Sequence, residues 1–512
     1  MSDKVLIIGD GPLRPSIEAQ YRSRGAEIDN AMPEDKLPAY SEIAVISASG
    51  SDDGAALRLL DELAARLPAG AYPLVHLQLQ NPDSLWMLQQ LDFSDAVNAA
   101  MEVNPFTAQD AWAKRVFVNL PGIDAGGYPP LDHRPVSADS RERVRLVLVG
   151  FDSYAEALAI HAALIAHFPN YRSADAAPLR TRIVVIDPDA GAQRDALAGR
   201  YGHLFDHSFC RTVRPDAAES DTRRPAFEGR RADMVDVEWE FVEARASHPV
   251  VAKRLAAWAD DESLVLTVAV NGPSDRSNLT TAMTLPEAVY DRRVPVLVRQ
   301  SADTFAEPLR RHFRYGAVYP YGMADGGYDI SLPLVRMAKL LKYFYDCSFG
   351  KRGVPTDLPP AEVEAAWRGE HSLKLRMSNI FHVMTIASKM RSLGHGGDAD
   401  ADAFYALNAR EVEALAATEH NRWTVERLIM GNRPCTDGER EKIRANIDAI
   451  IAGKSEHDLK RDFKRRGVHY DLCAYDELGL DATGRNVKVY DYDLTASLPL
   501  IVKSFYEQTR QK

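Results

Sequence analysis

The chain has 512 residues, a formal net charge of −11, 46% hydrophobic and 26% charged residues. This length predicts about three domains, each able to bury its own core, and the acidic balance excludes a general nucleic-acid binder, whose electrostatic footprint is basic. Four cysteines without CxxC spacing exclude a disulfide framework and a zinc site and point to a reducing cytoplasm, while the absence of any run of about 18 apolar residues excludes membrane insertion.

The first segment, roughly 1–135, opens on Val5-Leu6-Ile7-Ile8, a short apolar run that ends in Gly9-Asp10-Gly11. It reads as a buried parallel strand entering a tight turn. A helix over Ser16 to Ser23 and a second strand ending at Asp29 follow, then strands at Ile43–Ile46 and Leu74–Leu77 with a helix from Ala55 to Leu67 between them. Strand, glycine turn, helix and acid-tipped strand form the opening of a dinucleotide fold. Arg14 stands where the third glycine belongs, so the segment reads as a Rossmann-like domain with a degenerate phosphate turn: either a scaffold without ligand or a working site.

The same order recurs over 140–330, which predicts a second parallel sheet and a duplicated unit. Val144 to Val149 ends at Gly150-Phe151-Asp152, a helix runs from about Ala155 to His167, and Arg182 to Asp187 is a second strand tipped with an acid. Leu264 to Val270 leads into the polar turn Asn271-Gly272-Pro273-Ser274-Asp275, Asn278 opens a helix, and Val294 to Arg299 is the next strand. These residues resemble the TrkA-N family, the nucleotide-binding regulatory domain of potassium transport proteins. The resemblance implies that Gly150 approaches phosphates, that Asp187 meets a ribose hydroxyl, and that NAD or another adenine nucleotide is bound by Gly150, Asp152, Asp187, Asn271 and Asp275. Asp152 replaces the family's second glycine, and a carboxylate there repels a diphosphate unless a cation compensates. Cys210 near His207 reads as a buried thiol, not a nucleophile; catalytic residues and metal ligands are expected to be absent.

The connector, 331–402, carries an apolar helical run from Leu332 to Tyr345, a Pro/Gly break at Gly350 to Pro360, and the pattern Trp367, Arg376, Ser378, Asn379, Lys389-Met390. Its polar residues are either exposed or turned toward the pocket described next. His395 to Asp402 reads as a flexible loop.

In the last segment, 403–512, Glu411 to Met430 has helical apolar spacing, with Glu419, Arg422, Trp423 and Glu426 on adjacent turns. They form either a wall for a flat ligand or a core tryptophan beside an exposed ion pair. Lys460 to Arg466 is a basic run, read as a solvated face or an anion-binding rim. Tyrosine-aspartate pairs recur at Tyr470, Tyr475, Tyr490 and Tyr492. Leu415-Ala416 with Glu419-His420-Asn421-Arg422-Trp423, then His469-Tyr470-Asp471-Leu472 and Ala474-Tyr475-Asp476-Glu477-Leu478, and finally Tyr490-Asp491, resemble the ryanodine-receptor repeat in its bacterial form, and the connector pattern resembles the helical extension that precedes it. The resemblance implies a ligand held by Arg376, Asn379, His420, Arg422, Trp423, Tyr475, Asp476 and Tyr490.

The expected fold class is therefore α/β, with tandem Rossmann-like parallel-sheet domains followed by a mostly α-helical ryanodine-receptor-like domain. The expected function is a non-catalytic sensor of a nucleotide-derived small molecule (a cyclic nucleotide, ADP-ribose or an NAD-like compound), with stress or phage-defence signalling as an analogy. Two alternatives stay open: an NAD-dependent enzyme centred on Gly150 and Asp187, and a regulatory module for a membrane ion transporter. The TrkA-N likeness implies a homodimer or higher oligomer.

Overall fold

The computed structural model describes residues 3–118 except 35, 49 and 51, residues 127–215 except 174 and 176, and residues 221–223, 233–302, 311–350, 353–394 and 407–510. The loop expected at His395 to Asp402 lies outside them.

Apolar runs buried on both faces build two sheets. The first contains β1 (Lys4–Ile8), β2 (Glu27–Asp29), β3 (Glu42–Val45), β4 (Leu74–Leu79) and β5 (Glu102–Thr107), in the order β2-β1-β3-β4-β5 and parallel throughout. Sequence periodicity does not mark β5, because Asn104 and Pro105 interrupt it. An edge strand tolerates that proline, and β5 pairs with β4 alone.

The second sheet contains β6 (Arg143–Val149), β7 (Thr181–Asp187), β8 (Cys210–Val213), β9 (Asp221–Arg223), β10 (Val237–Glu243), β11 (Leu264–Val270), β12 (Val296–Arg299) and β13 (Val318–Tyr321). Their order is β13-β12-β11-β6-β7-β10-β8-β9, with only the β8–β9 pair antiparallel. The six strands from β10 to β13 follow a doubly wound, Rossmann-like order, whose crevice lies where the winding reverses between β6 and β11. The first sheet has a different order, so the two are not topological copies, contrary to the expected duplication. Local pattern repeats in both; strand order, set by packing, does not.

Val149 pairs with Val270 on one side and Ile186 on the other. That register brings Gly150, Asn271 and Asp187 to one end of the sheet. Alternating acids hide β10 from a search for apolar runs, yet Glu240 is buried there and paired with Arg254 and Arg182.

The helix Pro333–Phe349 turns its apolar stripe to the helices Pro360–Arg368, Leu373–Met384 and Leu498–Arg510. Polar pins join distant segments. Glu102 of β5 accepts from Lys339 at 3.0 Å and from the Trp367 indole at 2.9 Å. Asp110 holds His161 at 2.9 Å, and Asp132 holds Arg391 at 2.9 Å. One apolar core runs continuously through both sheets and these helices. No helix among the described residues is long and apolar enough to cross a membrane.

The helix Ala409–Ile429 starts at a capping box, Asn408 with Glu411, which satisfies amide groups its first turn would leave bare. It buries its charged residues as well as its apolar ones, and the reason is internal pairing, described next.

Candidate functional site

Glu419, Arg422 and Glu426 are spaced so that one guanidinium reaches both carboxylates. Arg422 bonds Glu419 at 2.7 Å and Glu426 at 2.5 Å, with all three side chains buried. Of the two open readings, the one with an exposed ion pair fails here, since this pair is an interior one. Glu419 also takes the Lys389 ammonium at 2.5 Å and His382 Nδ1 at 2.7 Å, both from the connector. Burial alone would raise the Glu419 carboxyl, but Arg422, His382 and Lys389 hold it well below the usual carboxylate range. Arg422 therefore has its donors committed within the fold and is a wall, not a clamp for a ligand.

Beside this network lies a cavity of about 460 Å³. Its walls come from the helices Pro333–Phe349, Leu373–Met384, Ala409–Ile429, Leu459–Arg465 and Lys488–Ala496. Of the residues expected to bind ligand, Asn379, His420, Arg422, Trp423 and Tyr490 line it. Three do not. Arg376 lies buried over the Trp367 ring, 5.4 Å away, and donates to the Trp367 carbonyl. Tyr475 stands behind His420, with ring centroids 5.9 Å apart. Asp476 is exposed and pairs with Lys488 at 3.4 Å.

His420 sits between two acceptors, the Cys473 carbonyl at 2.8 Å from Nε2 and Asp491 at 3.3 Å from Nδ1. A neutral ring could donate to only one of them. Burial lowers its affinity for a proton, yet Asp491 and the carbonyl raise the net value above the ordinary one. Trp423 packs edge-on against His469 at 4.8 Å and carries the Arg427 guanidinium 5.6 Å from its ring. Burial first, then Lys464 and Arg427, push His469 down to about 3. Lys460 and Lys464, from the run read as an anion-binding rim, both line the cavity, and Lys460 pairs with Asp471 at 2.8 Å. Sequence reasoning passed over Tyr345, His382 and Arg427. The i, i+4 spacing of Ser378 and His382 was the available signal for the second.

The other predicted set gathers at the end of β6, β7 and β11. Gly150 has a positive φ of 80°, and a Cβ there would stand 2.6 Å from the Asn271 carbonyl oxygen, so this glycine serves close packing of two strand ends. Asp152 caps the helix Ser153–Ile165, taking the amides of Tyr154 at 3.0 Å and Ala155 at 2.9 Å, and pairs with Arg299 at 3.2 Å. These are the donors a dinucleotide phosphate would use at a helix start. Asp187 accepts from the Asp189 amide at 2.8 Å, Asn271 accepts from the Tyr321 hydroxyl, and Asp275 accepts from the Ser301 amide at 2.9 Å. With an internal carboxylate on the anion seat, this crevice does not fit the diphosphate of NAD. In the first sheet, Arg14 closes the corresponding turn by bonding the Gly9 carbonyl and, at 2.8 Å, Asn30.

Fold and site together define an α/β chain with one parallel and one mainly parallel sheet and a helical module that encloses a mixed aromatic and cationic cavity. No family model, no curated protein and no solved structure matches this chain.

Proposed function

We propose that the protein is a non-catalytic sensor that binds a nucleotide-derived small molecule in the 460 Å³ cavity. The observation that carries the reading is convergence: aromatic residues Tyr345, Trp423 and Tyr490 and cationic residues Arg427, Lys460 and Lys464 reach one concavity from separate helices. Rings accept a base by stacking, and cations accept phosphoryl oxygen. The size falls in the range of small-molecule sites. The resemblance of the Ala409–Ile429 helix to the ryanodine-receptor repeat supports the same reading.

The connector and the C-terminal segment both contribute walls, so a bound molecule bridges them. Ligand then biases their packing by as much as its affinity differs between the two arrangements. Calorimetry against cyclic nucleotides, ADP-ribose and NAD tests the proposal. Heat of binding is expected with at least one of them, lost on Trp423→Ala in a variant that still melts cooperatively. A folded sample that takes up none of them removes the reading.

A further inference from the structure

The cavity is not uniform. On one side the ring centroids of Tyr345 and Phe349 lie 4.6 Å apart, and Phe349 lies 4.6 Å from Tyr490. Tyr345 is 40% exposed and lines the cavity. On the other side stand Arg427, Lys460 and Lys464. Lys460 is neutralised by Asp471. Arg427 is held at the wall by Ser378 at 3.1 Å, by Glu426 at 3.4 Å and by Trp423, and its buried Nε has no partner among the described residues. The Lys464 ammonium, on the exposed rim, makes no ion pair or hydrogen bond among the described residues. Lys464 thus stands beside Arg427 without a carboxylate partner of its own among the described residues, a local excess of positive charge that a ligand anion would relieve. Desolvation and the neighbouring Arg427 both hold the Lys464 ammonium below its ordinary value, in line with this excess.

We infer that the cavity divides recognition between its two sides: Arg427 and Lys464 take a phosphoryl group, and Tyr345 with Tyr490 takes the planar ring attached to it. The inference rests on the sensor reading and narrows its ligand to a compound that carries both groups. It gives each side a separate variant on an exposed residue, so the fold is spared.

Calorimetry on the full chain uses three probes: ADP-ribose, adenosine and inorganic pyrophosphate. Lys464→Gln is expected to weaken ADP-ribose and pyrophosphate about tenfold and leave adenosine unchanged. Tyr345→Ala is expected to weaken ADP-ribose and adenosine about tenfold and leave pyrophosphate unchanged. Equal losses for all three probes in either variant, or undiminished ADP-ribose binding in either, overturn the division while the sensor reading stands. If the unmutated chain binds none of the three, the sensor reading falls and this inference falls with it.

Discussion

Inside the helical module, Glu419 faces Lys389, Arg422 and His382 at once. Glu419→Ala leaves Lys389 buried without its counter-ion and Arg422 with Glu426 alone, which costs about 3–5 kcal/mol. The check is a shift of the urea midpoint at constant slope. Histidines give the site a pH signature. Burial pushes His382 down to about 4 and His469 to about 3. In the unfolded chain both titrate near 6.5, so between these values the unfolded state holds more protons. Their contribution is complete above about 6.5 and is lost as pH falls through that window. His420 has the opposite sign: its contribution is complete below about 6.5 and is lost as pH rises from there through its raised folded-state value. The melting temperature is expected to drop between about pH 7 and about pH 5, and His469→Phe should flatten the drop. An unaltered slope in that variant would refute the assignment. At this scale the sequence was partly legible. The i, i+3 and i, i+4 spacing of Glu419, Arg422 and Glu426 predicted their pairing, but not their burial, because Lys389 and His382 arrive from another helix.

Among the elements, the glycine turns distinguish packing from mere backbone freedom. Gly150 and Gly25 have similar φ values, 80° and 75°, but only Gly150 has a neighbour for an added Cβ; none lies within 4 Å of Gly25. Gly25→Ala should therefore lose only the left-handed backbone term, about 1–2 kcal/mol. Gly150→Ala should lose clearly more, since the Asn271 carbonyl cannot yield without moving β11. Paired denaturation curves decide it, and equal losses would mean that the two strand ends are not in contact. Uninterrupted apolar strands such as Leu264–Val270 are readable from sequence, because burial on both faces demands the run. Strands that carry charge to an internal partner, as β10 does, or proline at an edge, as β5 does, hide from the same rule. The basic segment Lys460 to Arg466 had two open readings, and only the placement of Lys460 and Lys464 on the cavity favours the anion rim.

Across the whole molecule, buried pairs between distant segments hold the parts in register. Asp110 touches His161 on a helix of the second sheet and Lys114 on its own. His161→Phe is expected to loosen this contact, raising hydrogen exchange in the helices Ala108–Phe117 and Ser153–Ile165 while that of β11 stays unchanged. Protection lost uniformly instead would show that the pair supports global stability and not this junction. Strand order and the cavity were the least legible features. Both depend on contacts between residues far apart in the chain, and local periodicity carries no information about which strand lies beside which.

Tyr328, which follows the last strand of the second sheet, lies in the first. Its ring stacks on Phe106 at 3.5 Å, and its hydroxyl meets His76 at 2.7 Å and Asn104 at 2.8 Å. During synthesis the ribosome must deliver all of the second sheet before this plug exists. The amino-terminal sheet therefore waits, with the His76 pocket open, and its completion is a late event in the life of the nascent chain. Truncated chains released before that residue should be recognisable by rapid protease cleavage of an otherwise folded front portion.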